Sequence, residues 1–403
     1  MEKGWYMVDN FHLMAKPVGP ACNLGCTYCF YLEKKNLFKP GLKLMKDQVL
    51  EAYTEKYIHS QTGPMVEFTW QGGEPTLAGL DFFQKAIDYQ NKFKGNKQIS
   101  NSLQTNGTLI NEDWCRFLAK HNFLVGISLD GPAELHDTYR KNNAGKSTSS
   151  EVENAISLLK EYDVEFNVLT TVNDINSREP RKIYDYYKES GIQFVQFIPI
   201  VERTAGEQAS ALGLGLASPG DTQMDTHVTN WSVKPEKYAD FLITIFDQWV
   251  RHDIGKIFIM NFEWALSAAI HGVSGTCHHA ETCGTAGVIE HNGDIYSCDH
   301  FVYPSYRLGN ILDDDLSLLF NSQAQLDFGN EKRDGLTEAC RNCEVLHLCY
   351  GGCPKHRFFS GQNYLCSAYK RFFSHIIPYA EAAKDLINHG RPLTELMKVK
   401  ITN

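Results

Sequence analysis

The chain has no continuous apolar run of the roughly 20 residues that a membrane-spanning helix requires. Its first ten residues, MEKGWYMVDN, lack the basic-then-apolar pattern of a secretory leader. Basic residues are not in surplus: 39 Lys and Arg face 48 Asp and Glu, a net charge of −9. A field of that sign recommends neither nucleic acid nor an anionic membrane as a partner. Repeats and low-complexity tracts are absent, and 43% hydrophobic against 22% charged residues excludes a disordered chain. What remains is a folded protein, expected in the cytoplasm, whose 403 residues suffice for two or three domains. In that reducing compartment its twelve cysteines suit metal binding or catalysis better than disulfides.

From residue 11 to about 260, short β-rich runs alternate with helical patterns, which predicts an α/β fold of βα units around a parallel sheet. The strand candidates are Phe11–Lys16, Val66–Trp70, Ser100–Thr105, Leu124–Leu129, Glu165–Val172 and Gln193–Ile200. Between them, Asp81–Phe93, Glu112–His121, Val152–Tyr162 and Arg181–Ser190 carry apolar residues at helical spacing. Six such units make most of a barrel, and chemistry in these folds collects in the loops after the strands. Glu202 to Trp231 loses the alternation and reads as a long irregular connection, a surface spacer in preference to a lid; its Gly213-Leu214-Gly215 has no strand before it and is no phosphate loop. A helix follows from Pro235 to about His252. After residue 270 glycines, histidines and eight cysteines arrive with little periodicity, as in a region folded around metal. The last helical stretch, Tyr369 to His389, is expected to pack back on the body.

Eleven cysteines fall into three groups. The first, Cys22-x3-Cys26-x2-Cys29, directly follows the first strand candidate. Three thiolates without a histidine in the loop suit a [4Fe–4S] cube with one open iron better than a closed four-ligand zinc site. The second is Cys277-x5-Cys283-x9-Gly293-x4-Cys298, and the third Cys340-x2-Cys343-x5-Cys349-x3-Cys353-x12-Cys366. Eight cysteines make two sets of four, which by spacing alone serve zinc ribbons or iron–sulfur clusters equally. Cys115 stands apart in an amphipathic helix and reads as a small core residue.

CNLGCTYCFY resembles the cluster motif of radical S-adenosylmethionine enzymes, in which the open iron is chelated by the methionine end of S-adenosylmethionine. Gln71-Gly72-Gly73-Glu74-Pro75, after the second strand candidate, matches the Gly-Gly-Glu element of that family, whose backbone meets the cofactor's amino group. Paired glycines permit close approach to a ligand, and a carboxylate suits an ammonium. The resemblance implies further cofactor contacts from Tyr28, from Ser128 near Asp130 in GISLDGP, from Arg140 in HDTYR and from Val201 after FIPI. A surface ion pair is the competing reading for Arg140. The C-terminal cysteines resemble the SPASM extension, which binds two auxiliary [4Fe–4S] clusters, three clusters in all. Its pattern implies interleaved ligation: Cys277, Cys283, Cys298 and Cys353 on the nearer cluster, and Cys340, Cys343, Cys349 and Cys366 on the more distant one. The implied architecture is a partial (β/α)6 radical SAM barrel over residues 1–250, a SPASM-type domain over 251–390 and a tail over 391–403.

CNLGCTYCFYLEK, FTWQGGEPTLAGL, LQTNG, CDHFVYP with RLGN after it, and YGGCPKHR together resemble the anaerobic sulfatase-maturating enzymes, from about Phe11 to Arg371. That resemblance implies oxidation of a cysteine or serine in an unfolded or nascent sulfatase polypeptide to Cα-formylglycine, fed by a low-potential donor such as flavodoxin or ferredoxin. A 5′-deoxyadenosyl radical would remove a β-hydrogen, and an electron would leave through the nearer auxiliary cluster. Asp299, beside Cys298, is the candidate base for the thiol or hydroxyl proton, on the argument that burial raises its proton affinity. The competing role is to hydrogen-bond backbone near the cluster. His300 and the pair His278-His279 make weaker candidates, and Gln71 and Tyr31 could touch the substrate peptide or frame the cofactor. Two other readings compete: a SPASM enzyme that crosslinks peptides by thioether or carbon–carbon bonds, and a zinc-binding module without catalysis. Four cysteines for each auxiliary cluster favour dehydrogenation over crosslinking.

Overall fold

The computed structural model describes residues 10–39, 44–221, 226–358 and 361–399. The leader reading therefore falls outside the described residues except at Asn10, as does the end of the tail from residue 400. Six parallel strands form where the alternation places them: β1 (His12–Lys16), β2 (Met65–Trp70), β3 (Gln98–Thr105), β4 (Phe123–Ser128), β5 (Phe166–Val172) and β6 (Phe194–Pro199). The short β7 (Phe258–Ile259) extends them, and the sheet has two free ends, so the barrel is open.

The two faces of the strands follow the period of two. In β3, Asn101, Leu103 and Thr105 are buried under the helical layer, while Ser100 is exposed and Ser102 and Gln104, on the same face, are half-buried. Ser102 Oγ lies 2.9 Å from Thr69 Oγ1, and Gln104 Nε2 donates to Ser128 Oγ at 3.3 Å. Polar side chains thus line this part of the inner wall. The outer face carries the helices Leu80–Phe93, Glu112–Lys120, Ser149–Glu161 and Pro180–Glu189, within a few residues of their expected bounds. Cys115 is fully buried there with Trp114 and Leu118. A further helix, Asp47–Ser60, buries Val49, Leu50, Tyr53 and Tyr57 between β1 and β2.

The C-terminal third departs from the expectation of a region without regular structure. It supplies β8 (Ala286–Glu290), β9 (Asp294–Tyr296) and β10 (Arg307–Asn310). β8 pairs in parallel with β1 over five residues, from His12 opposite Ala286 to Lys16 opposite Glu290. Val288, Ile289 and Ile295 are fully buried: Ile289 and Ile295 join the main core, while Val288 packs with Tyr31, Tyr296 and Val302. One ten-stranded sheet, in the order β10-β9-β8-β1-β2-β3-β4-β5-β6-β7, therefore runs through both halves of the chain. The last helix, Cys366–Asn388, packs on Pro235–His252 through Phe246, which meets Phe372 at 6.2 Å and Tyr379 at 5.1 Å between ring centres. No helix of the described residues is long and apolar enough to cross a membrane.

The connection after Glu202 is more than a spacer. It contains a helical turn, Glu207–Ala211, stapled by Asp221, whose carboxylate accepts from the backbone N–H groups of Gln208, Ala209 and Ser218. Glu33 holds Gly215 N at 2.7 Å, and Tyr303 donates to the Ala217 carbonyl, which fixes the connection against the first cysteine loop and the C-terminal third.

Candidate active site

Cys22, Cys26 and Cys29 lie together in the loop that follows β1. Backbone bonds from Gly25 N to Lys141 O and from Cys29 N to Cys26 O curl the loop, and Asn106 Nδ2 reaches Cys22 Sγ at 3.8 Å. Burial, with repulsion among the three sulfurs, drives the Cys22 thiol up to about 11 and that of Cys26 to about 12; Cys29 is raised as well. Arg140 opposes this at Cys26 and Cys29, and Lys16 does so at Cys29. Converging buried thiols of this kind are stabilised as thiolates by a positively charged metal core.

The Gly-Gly-Glu loop packs directly over this loop. Gly73 N donates to Gly19 O and Glu74 N to Ala21 O, each at 2.8 Å. A Cβ on Gly73 would overlap the Ala21 carbonyl, and Gly72 sits at φ 135°, so the glycines are required for backbone-to-backbone contact. The Glu74 carboxylate is fully buried and engaged by the protein: it accepts from Thr76 N, Thr76 Oγ1, Thr105 Oγ1 and Asn106 N. Its side chain therefore fastens the loops after β2 and β3, and an ammonium ligand is left to the loop's backbone. Gln71 opens this loop, half-buried, with its N–H on Ala15 O.

At the end of β4, Ser128 is half-buried and Asp130 is 1% exposed. Arg140 Nε donates to Asp130 Oδ2 at 2.9 Å, its Nη2 reaches Thr171 Oγ1, and the Tyr28 hydroxyl donates to the same Asp130 oxygen. The surface reading of Arg140 fails: its side chain is 10% exposed and faces the cysteine loop. Val201 is buried and lines a cavity of about 590 Å³ together with Glu202, Arg203, His300, Tyr303 and Lys355.

The C-terminal thiols gather in two fours. Cys298 repels Cys353 and Cys277, and Cys353 repels Cys283 and Cys277. Separately, Cys349 repels Cys366, Cys340 and Cys343, and burial takes its thiol to about 12. The second four surround a cavity of about 260 Å³. Four thiols around such a space suit a polyatomic cluster. Cys366 is the first residue of the last helix, which carries it to Cys340 and Cys343.

Asp299 follows Cys298 and pairs with Lys16 Nζ, whose side chain is 2% exposed. The same Nζ stands 3.4 Å from the centre of the Tyr31 ring, and Tyr31 itself is buried with its hydroxyl on Glu290. The expected rise in the proton affinity of Asp299 is not found. Burial pushes it up, but Lys16, helped by Lys355, outweighs burial and holds the carboxyl below its ordinary range. His300 Nδ1 lies 3.5 Å from Cys353 Sγ, and burial lowers that imidazole to about 3, so it is neutral. His278 and His279 are also neutral; His279 Nδ1 lies 3.4 Å from the Cys349 carbonyl oxygen.

Residues 17–187 match the Radical SAM superfamily, and 277–344 match an iron-sulfur cluster-binding domain, SPASM. A serine-type anaerobic sulfatase-maturating enzyme of Bacteroides thetaiotaomicron is 44% identical over 96% of this chain and 95% of its own. The chain belongs to the anaerobic sulfatase-maturating enzyme family. A cysteine-type member from Clostridium perfringens is 37% identical over 91% of this chain and 96% of its own. The structure of native anSMEcpe with bound AdoMet superposes with a TM-score of 0.82 at 36% identity, covering 93% of this chain and 99% of that one. This sulfatase-maturating enzyme is thus a radical S-adenosylmethionine enzyme, and its cofactors are S-adenosylmethionine and three [4Fe–4S] clusters.

Several residues of this sulfatase-maturating enzyme carry site geometry without having been singled out from sequence. Lys16 was signalled only as a lysine closing an apolar strand just before the cysteine loop. Asn106, within the phrase LQTNG, ties Glu74 to Cys22 and Asn23. Lys355 pairs with Glu202 at the cavity wall, and no local pattern announces that contact across the chain.

Proposed function

We propose that this enzyme oxidises a cysteine or serine of an unfolded sulfatase segment to Cα-formylglycine by removal of a β-hydrogen. The observation that carries this reading is Lys16. One ammonium touches Tyr31, two residues beyond Cys29, and Asp299, one residue beyond Cys298, so it ties Asp299 to the loops that carry the N-terminal thiol triad and the nearer auxiliary set. Cys22, Cys26 and Cys29 would hold the cluster that, with S-adenosylmethionine bound, supplies a radical able to take hydrogen from carbon. Tyr28, Gly72, Gly73, Glu74, Ser128, Arg140 and Val201 would position the cofactor, and Gln71 and Tyr31 the peptide.

Asp299 Oδ1 is paired with Lys16, which keeps the group ionised and leaves Oδ2 to accept the proton of the substrate thiol or hydroxyl. Loss of one hydrogen atom, one proton and one electron, the last toward Cys277, Cys283, Cys298 and Cys353, converts serine to the aldehyde. Cysteine gives the thioaldehyde, which water turns into the same aldehyde with release of hydrogen sulfide. The peptide enters through the cavity of about 590 Å³ between the Glu202 connection and the C-terminal third.

The test is incubation of the reduced, iron-loaded enzyme with S-adenosylmethionine and two peptides that differ only in cysteine or serine at the target. A serine peptide lighter by two hydrogens, or a cysteine peptide with sulfur replaced by oxygen, is the expected product. Cleaved cofactor beside unmodified peptides, or an internal thioether in their place, would overturn the reading.

A further inference from the structure

Cys349 and Cys353 belong to different thiol sets, and only Tyr350, Gly351 and Gly352 separate them. All three have positive φ, at 44°, 70° and 62°. For tyrosine the left-handed region costs about 1–2 kcal/mol, so something must hold it there. Arg357 does. Its Nη2 donates to Tyr350 O at 2.8 Å and Gly352 O at 3.5 Å, its Nε to Gly351 O at 3.0 Å, and its Nη1 to Lys332 O at 2.6 Å. A Cβ on Gly351 would come 2.6 Å from Nη2, so glycine is what admits the guanidinium.

Lys332 continues the network. Fully buried, it donates from Nζ to the carbonyls of Cys277, His278 and Ala280, the loop that bears the first ligand of the nearer set. Among the described residues neither Arg357 nor Lys332 has a carboxylate partner. Lys332 is fully buried and Arg357 half-buried; a buried cation is ordinarily paired, and a neutral carbonyl is not a counter-charge. Thiols from both sets act electrostatically on Arg357, Cys340 and Cys349 from one and Cys283 and Cys353 from the other, and Cys283, Cys353 and Cys277 act on Lys332.

We propose that Arg357 is a positioning residue for both auxiliary cluster sites: it locks the three-residue link between them and raises the reduction potential of each. The physical ground is that a cluster held by four thiolates gains an electron more readily beside a fixed cation, and guanidinium stays charged at any working pH. The proposal rests on the reading of these eight thiols as two iron–sulfur sites.

The test uses full-length protein carrying Cys22→Ala, Cys26→Ala and Cys29→Ala, so that only the auxiliary signals remain, with Arg357→Gln or Arg357→Lys added. Iron content and midpoint potentials by redox titration with electron paramagnetic resonance are the readouts. The parent is expected to hold about eight irons per chain. R357Q with retained iron should shift both auxiliary midpoints downward by about tenfold in the reduced-to-oxidised ratio, or about 59 mV for one electron. R357K should stay near the parent. Retained iron with unchanged potentials in R357Q, or equal shifts in both variants, overturns the charge assignment. Should R357Q lose iron, R357K decides: iron kept at the parental potential supports the proposal, and loss from both reduces Arg357 to a structural clamp. A parent without iron overturns the iron–sulfur reading instead.

Discussion

Replacing Asp299 by Asn removes one negative charge and almost no volume, and two different consequences follow from the structure. The first is chemical. A positioned general base contributes roughly 10²–10⁴-fold, so aldehyde formation should fall by about that factor while deoxyadenosine continues to form within a few-fold of the parent rate. The second is electrostatic. Lys16 is 2% exposed and Asp299 22%, so the amide strands a buried ammonium. Breaking a buried pair costs about 3–5 kcal/mol, and the partial exposure of Asp299 argues for the lower end. The double variant Lys16→Met, Asp299→Asn separates the two, because it removes the stranded charge without restoring a base. Unfolding should then recover toward the parent while the aldehyde yield stays low. Both products are counted in the same anaerobic assay by mass spectrometry, beside denaturant unfolding of each protein. Aldehyde formation unchanged in D299N, or regained in the double variant, would refute the assignment of Asp299 as base.

Replacing Cys22, Cys26 and Cys29 together by Ala should abolish deoxyadenosine formation while leaving about eight irons per chain; cleavage that persists contradicts the assignment of the N-terminal site. Gly73→Ala places a methyl group into the Ala21 carbonyl and must displace one of the two loops. Its dissociation constant for S-adenosylmethionine, read by calorimetry, should rise at least about tenfold, and an unchanged value would mean the loop does not hold the cofactor. Arg140→Met strands Asp130, which is 1% exposed, and should cost about 3–5 kcal/mol in denaturant unfolding; a loss within about 1 kcal/mol would place the pair in solvent.

Periodicity marks β1 to β6 within two residues at either end because short runs bounded by turn residues alternate with helices that carry clear stripes, even though β3 is largely polar. It does not mark β8, β9 and β10, which are only five, three and four residues long, too short to establish an alternation. Spacing shows that eight thiols exist and cannot show that Cys349 and Cys353 part company; the family pattern supplied that crossing, and the fold places the two in different fours. The direction of the Asp299 shift was illegible for a related reason. Burial can be guessed from a neighbouring cysteine, but the opposing cation comes from Lys16, 283 positions away. The glycines of the Gln71–Pro75 loop also let the chain approach itself closely, a contact with the Ala21 carbonyl that the sequence does not announce.

The pairing of β1 with β8 bears on how the enzyme is made. Strand β1 lies in the middle of the sheet, with β2 on one side and β8 on the other, so it gains its second neighbour only after residues 286–290 have left the ribosome. At about 5–20 residues per second, roughly a quarter of a minute to a minute of synthesis separates the two strands. Until then one edge of β1, just ahead of the Cys22 loop, is bare backbone open to pairing with another chain. A fragment ending near residue 250 is thus expected to expose that edge of β1 instead of standing free as a barrel.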